Sequence, residues 1–187
     1  MKLLAGVVFL LLVFRAEAQL PHIKSNFTLE DQNQSVVYKI FSGKYDFVIA
    51  YTAQSYWWSN KYNYDILAKK GGVWFNIRLN AERKNGNWPY PKIKTSRVEK
   101  NSFDSLIDTL TKQQFWTLNI DSLSDQRGES LFDATNYRFE ILEGKSFRII
   151  ESYAPEYFLN SFPDMLARKS FIKSRDAFVK TYKTYCD

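Results

Sequence analysis

Histidine and cysteine are almost absent from this chain. It has one of each in 187 residues, His22 and Cys186, and both stand close to an end. An activated serine or cysteine nucleophile needs a base beside it, most often an imidazole. A lone histidine in an N-terminal stretch does not supply one, so Ser–His–Asp and Cys–His machinery is effectively excluded. Zinc sites of the usual nitrogen and sulfur ligands go with them, and no metal or cofactor is expected. One thiol cannot close an internal disulfide, and a domain of this length does not need one. Cys186 reads as a frayed, inert terminal thiol. Glycine is also scarce: the seven glycines stand singly or as the pair Gly71-Gly72. Neither a P-loop nor a dinucleotide fingerprint can be assembled from them. A long apolar run occurs once, from Leu3 to Phe14, well short of the roughly 20 residues that span a bilayer.

That run has the setting of a cleavable secretory signal. Lys2 gives the positive start, and Arg15-Ala16-Glu17-Ala18 ends in the small-x-small pattern that signal peptidase accepts. Residues 1–18 are expected to be removed, leaving an extended tail over 19–33 and one domain over 34–187, periplasmic or secreted. Losing Lys2, Arg15 and Glu17 from the 26 basic and 20 acidic side chains changes the formal charge only from +6 to +5. The surplus is mild and spread along the chain, so neither nucleic acid nor a membrane span is expected. Asn26-Phe27-Thr28 and Asn33-Gln34-Ser35 match the N-glycosylation sequon and matter in a eukaryotic source.

What the chain has in excess is aromatic: 15 Phe, 12 Tyr and 5 Trp. Three hairpins organise many of them. Ser35–Ser42 and Tyr45–Tyr51 flank Gly43-Lys44, a pair suited to a tight turn, which sets Val36, Tyr38 and Ile40 opposite Tyr51, Ile49 and Phe47. Gly71-Gly72 joins Lys61–Lys70 to Val73–Arg83. Its register opposes Ala68 to Phe75, Ile66 to Ile77 and Tyr64 to Leu79, and on the other face Asp65 to Arg78, Lys61 to Glu82 and Lys69 to Trp74. The third hairpin, Asn136–Leu142 with Ser146–Tyr153, turns at Glu143-Gly144-Lys145. It places Tyr137, Phe139, Ile141, Phe147 and Ile149 on one face and Glu140 beside Arg148 on the other.

Two helices complete the pattern. Asn101 is a fitting N-cap with Asp104 three residues on, and Phe103, Leu106, Ile107 and Leu110 keep the spacing of one buried stripe. A Phe115-Trp116-Thr117-Leu118 plug follows. After Pro155, Tyr157, Phe158, Leu159 and Phe162 form a short apolar turn. A final helix from about Pro163 to Tyr185 carries Leu166, Phe171, Phe178, Val179, Tyr182 and Tyr185 inward. Arg168, Lys169, Lys173, Arg175, Lys180 and Lys183 read as its solvated face. The class is α+β: an antiparallel sheet of about six strands in ββββ-α-ββ-α order, with two helices packed on one face. Lys84–Val98 and Asp121–Asp133 are the longest irregular pieces.

Two kinds of site can be written on that frame. Tyr56-Trp57-Trp58 follows the first hairpin and Trp88-Pro89-Tyr90-Pro91 the second. An aromatic platform built from them, with Lys92 and Lys94 at its edge, suits a glycan or an envelope protein partner, because flat rings give large contact area at low entropic cost. The same rings serve equally to complete a core. The alternative is carboxylate chemistry of the glycosidase kind, which needs two acids at a suitable separation. Asp121, Asp125, Glu129 and Asp133 are its candidates. A structural or assembly subunit is a third reading, marked by a large apolar surface patch.

The second half resembles a pattern found in small exported bacterial α+β proteins of uncharacterised function. In that pattern a helix leads into Phe-Trp-x-Leu, then an Asp-Gly-x-x-Tyr start to a hairpin, then aromatic-x-Pro. The counterparts here are Phe115-Trp116-Thr117-Leu118, Asp133-Ala134-Thr135-Asn136-Tyr137 with alanine in the glycine's place, and Tyr153-Ala154-Pro155. The resemblance spans about residues 103–180. It implies a bacterial protein of the periplasm or outer surface and carries over no catalytic residue. Together these readings point to a non-enzymatic binding or accessory module of the cell envelope, with a carboxylate-dependent hydrolase or an assembly subunit as the alternatives.

Overall fold

The computed structural model describes residues 20–28, 32, 34–55, 59–98 and 101–186. The expected signal over 1–18 and the Tyr56-Trp57-Trp58 segment lie outside the described residues. The fold is an antiparallel six-stranded sheet in the order β4-β3-β2-β1-β5-β6. Its strands are β1 Phe47–Gln54, β2 Lys61–Lys70, β3 Val73–Glu82, β4 Lys92–Val98, β5 Asn136–Glu143 and β6 Ser146–Tyr153. The helices are α1 Val36–Phe41, α2 Asn101–Lys112, α3 Ile120–Ser124, α4 Pro155–Ser161 and α5 Leu166–Cys186. The ββββ-α-ββ-α order is therefore present, with short helices added around it. Among the described residues no helix is long and apolar enough to cross a membrane.

The central strand β1 is buried on both faces from Phe47 to Ala50, as a strand hydrogen-bonded on both edges and covered on both sides must be. Phe47 and Ile49, with Leu67, Trp74, Phe139 and Ile141, meet Phe103, Leu106 and Leu110 of α2 and Phe171, Phe178 and Tyr182 of α5. Both long helices thus pack on one face, as the periodicity requires, and Phe115 and Trp116 plug the same layer. On the opposite face Val48, Ala50, Ile66, Ile77 and Leu79 pack against Val36, Val37 and Phe41 of α1.

The Gly71-Gly72 hairpin has the expected register in every pair, from Lys61 opposite Glu82 to Lys69 opposite Trp74. Lys69 Nζ lies 5.5 Å from the Trp74 ring centre, and Arg78 meets Asp65 at 4.0 Å. The first expected hairpin does not form. Residues 36–41 are helical, because Ser35 caps them by accepting from the Tyr38 amide at 2.9 Å, and Gly43 at φ +70 is the left-handed residue that ends the helix. β1 has no edge free for them in any case, being paired to β2 and β5. The missing strand is β4, inside the stretch read as the Lys84–Val98 loop.

The third hairpin turns on Gly144-Lys145 alone, with Glu143 opposite Ser146. That is one residue tighter than expected. Ile149 therefore lies opposite Glu140, and Arg148 opposite Ile141. The slip carries Phe147 and Ile149 to the α1 face beside Glu140, away from Phe139 and Ile141, and takes Arg148 to the helix face, since side chains alternate with a period of two.

β6 is an edge strand, and the N-terminal segment closes it with side chains. Ser25 Oγ accepts from the Phe147 amide at 3.0 Å. Asn26 Oδ1 accepts from the Ile149 amide at 2.9 Å, while its Nδ2 donates to the Ile149 carbonyl at 2.8 Å. Ile23 beside them is buried. Residues 20–28 of the expected extended tail thus cover this edge.

Candidate functional site

β1 and β3 run parallel to each other on either side of β2, so both end at the same end of the sheet. β5 begins and β6 stops there too. A cleft of about 550 Å3 opens at that end, between the β5–β6 hairpin, α3 and α5. Its volume falls within the range of about 300–1,000 Å3 typical of small-molecule sites. Leu123, Leu131, Phe132 and Tyr153 give it apolar walls, and Asp133, Glu151, Ser152 and Arg168 its polar groups.

Several ties hold these walls in place. The Tyr153 hydroxyl accepts from the Ala134 amide and donates to the Leu131 carbonyl, each at 3.0 Å, which fastens the 131–134 wall to the strand end. Arg127 grips Asp164 through two nitrogens, at 3.0 and 2.6 Å, and ties the preceding loop to the start of α5. That hydrogen bond holds the Asp164 carboxyl below the usual range. Ser55 and Thr135 hydroxyls meet at 3.1 Å between the ends of β1 and β5.

Arg168 lies fully buried at the cleft. Its Nη2 donates to the carbonyls of Leu123, at 2.9 Å, and Asp125, and its plane sits 4.6 Å from the Phe158 ring centre. Nε and Nη1, which carry three of the five guanidinium hydrogens, have no partner among the described residues. No carboxylate of those residues pairs with it, and burial lowers its pKa, with the Asp125 charge acting against that. The two other buried arginines of this kind are better satisfied. Arg148 donates to the Lys24 and Leu118 carbonyls, and Arg175 to Glu156 and Asp176; each leaves one nitrogen unpartnered. The solvated helix face expected for all six cations is thus corrected. Arg168 and Arg175 are buried because they stand at the 3-4-3-4 spacing of Phe171, Phe178 and Tyr182, whereas Leu166 is 71% exposed and Tyr185 50% exposed.

A second, smaller cavity of about 160 Å3 lies on the α1 face. Glu140 forms its floor, almost fully buried, and accepts from Ser35 Oγ, from Tyr64 Oη at 2.9 Å and from Arg138 Nε at 3.0 Å. Arg138 also reaches Glu151 at 3.3 Å. Burial first and the Glu140 charge second push the Tyr64 phenol well above its ordinary range, which keeps it a donor. The network secures the cap of α1 across the sheet.

Of the aromatic residues nominated from the sequence, Trp88 is half-buried beside this cavity. Its Nε1 donates to the Gln34 carbonyl at 2.9 Å, and its ring stands edge-on to Tyr62 at 5.1 Å. Tyr90 is 92% exposed and has no ring contact with Trp88 among the described residues. Lys92 and Lys94 belong to β4. Of the nominated acids, Asp121 and Asp125 are exposed, Asp125 meets Arg127 at 3.9 Å, and Glu129 is half-buried. Asp133 alone lines the cleft, joined there by Glu151, which the sequence marks only as a strand position. No group of three metal-ligating side chains occurs among the described residues. Cys186 is half-buried in the last turn of α5 rather than frayed, and burial pushes its thiol up to about 11. Comparison of the sequence with protein-family models and with curated proteins finds no match.

Proposed function

We propose that this chain is an exported binding module of the cell envelope, released by cleavage after Ala18, and that it takes its ligand in the 550 Å3 cleft at the open end of the sheet. The observation that carries this reading is Arg168. A buried guanidinium without a carboxylate is costly to the fold. Holding two carbonyls accounts for one of its three nitrogens only. Departures from local satisfaction of this kind concentrate where a protein has work to do. The surrounding ties favour a preformed site, and the Tyr56-Trp57-Trp58 segment begins two residues beyond the cleft residue Gln54. A glycan or an envelope protein partner remains the class of ligand that the aromatic residues of the sequence suit.

Chemical-shift mapping tests the assignment. With a panel of small polar compounds added to residues 19–187, perturbed amides should cluster at 123–134 and 151–153. Perturbations confined to other surfaces would defeat it. A carboxylate-dependent hydrolase is the second reading, favoured by Asp133 and Glu151 lining one cleft. It requires that Glu151→Gln abolish turnover of a glycoside that the unaltered protein cleaves.

A further inference from the structure

We infer that the ligand of this cleft is a small zwitterion, an amino acid or a di- or tripeptide, whose carboxylate is received by Arg168 and whose ammonium is received at Asp133. The inference rests on the cleft reading above and adds the chemistry of the occupant.

Arg168 places one positive group in the wall of the cleft, buried from solvent, with Nε and Nη1 unpartnered among the described residues and within reach of a ligand that displaces the side chains over them. A guanidinium is a planar, permanently charged donor set, and its natural complement is a carboxylate or phosphate. A plain anion, however, would also face Asp133 and Glu151. Glu151 is already engaged by Arg138 at 3.3 Å. Asp133 is not engaged: no ion pair reaches it among the described residues, and it is held at φ +59, where a non-glycine backbone is uncommon. A ligand bearing a carboxylate alone satisfies the arginine and repels the aspartate. An amine alone does the reverse. A ligand with both ends answers both groups, whereas neutral sugar hydroxyls can hydrogen-bond to them and neutralise neither charge.

Shape agrees with charge. Leu131, Phe132 and Tyr153 stand among the polar groups, and Phe132, 84% exposed, leaves its ring open to an apolar part of a ligand. A residue side chain between the two charged ends would lie against it. The cleft volume admits a short peptide and not a folded partner.

Titration of the 19–187 protein with trialanine, its C-terminal amide and its N-acetyl form decides the matter, read by calorimetry and by the amide shifts of Phe132, Asp133 and Ser152. Trialanine should bind, the amide at least tenfold more weakly, and the N-acetyl form severalfold more weakly. Asp133→Asn suits the left-handed backbone at this position and should erase the difference between the free and acetylated peptides. Arg168→Lys keeps a charge for the two carbonyls but loses the planar donors, and should erase the difference between acid and amide. Equal binding of acid and amide to the unaltered protein, or none by any of the three peptides, overturns the zwitterion. Maltotriose then separates the two failures. If it moves the Phe132, Asp133 and Ser152 amides, the cleft stands as the site with another ligand class; if it does not, both readings fall.

Discussion

Replacing Glu140 by alanine would strand three donors at once. Ser35, Tyr64 and Arg138 all address that carboxylate, and it is almost wholly buried. Removing one partner of a buried charged network typically costs about 3–5 kcal/mol, because the remaining charge stays desolvated. Urea unfolding of Glu140→Ala should show a loss of that order. Glu140→Gln, which keeps an acceptor for Tyr64, should lose less. Cys186 gives a pH-dependent prediction of a different kind. Its folded pKa of about 11 lies above the ordinary thiol value, so the native state binds the proton more tightly. The thiolate is the reacting species; at pH 8 a disulfide reagent should modify native Cys186 about a hundredfold more slowly than the urea-unfolded chain. The native rate should climb as pH rises toward 11. Neither Glu140 nor Arg168 could be picked out by residue type alone. Arg168 and Arg175 were nevertheless legible, since a stripe through Phe171, Phe178 and Tyr182 at 3-4 spacing passes through both.

Among the elements, the Gly71-Gly72 hairpin was fully readable because charge pairs and apolar pairs fall on opposite faces in only one register. α1 was not. Val36-Val37-Tyr38 favours a strand by intrinsic preference, and the Ser35 cap with its tertiary anchor on Glu140 overrides it. β4 escaped for the opposite reason: six of its seven residues are exposed, so it carries no apolar alternation to detect. The β5–β6 register turned on a single residue of loop length, and with it went the cross-strand neighbour of Glu140, Ile149 in place of Arg148. The cleft was legible only as Asp133, because a cavity is made by elements meeting at distant positions in the chain. Asn26 tests the element that sequence patterning treated as a tail. Asn26→Ala leaves the amide and the carbonyl of Ile149 without partners on an edge strand, at a cost of about 1–3 kcal/mol for unsatisfied groups. Hydrogen exchange at the Ile149 amide should accelerate in this variant. Asn26→Asp, which still accepts from that amide but cannot donate, should restore its protection and only part of the stability.

At the scale of the whole molecule, the edge cover gives residues 20–28 a role distinct from the one expected of residues 1–18. Leu20 packs on the helix-side core, Ile23 is buried, and Ile23 donates its amide to Glu143 at 2.6 Å. Burying an isoleucine side chain contributes about 1.5–3 kcal/mol, and the hydrogen bonds of Ser25 and Asn26 to β6 add to it. Two truncations separate the segments. A protein starting at Gln19 should unfold at the temperature of one that retains residues 1–18 in detergent, because it keeps the contacts of Leu20, Ile23, Ser25 and Asn26. A protein starting at Leu29 should lose several kcal/mol by urea unfolding, and its uncovered β6 edge should pair between molecules and aggregate as an open sheet edge does. Export of the full chain should yield a mature N-terminus at Gln19, read by N-terminal sequencing. A cut ten or more residues further on would remove the strand cover and is incompatible with this fold's stability. Equal stability of the Gln19 and Leu29 proteins would show that the sheet closes its own edge, and the part assigned to residues 20–28 would have to be abandoned.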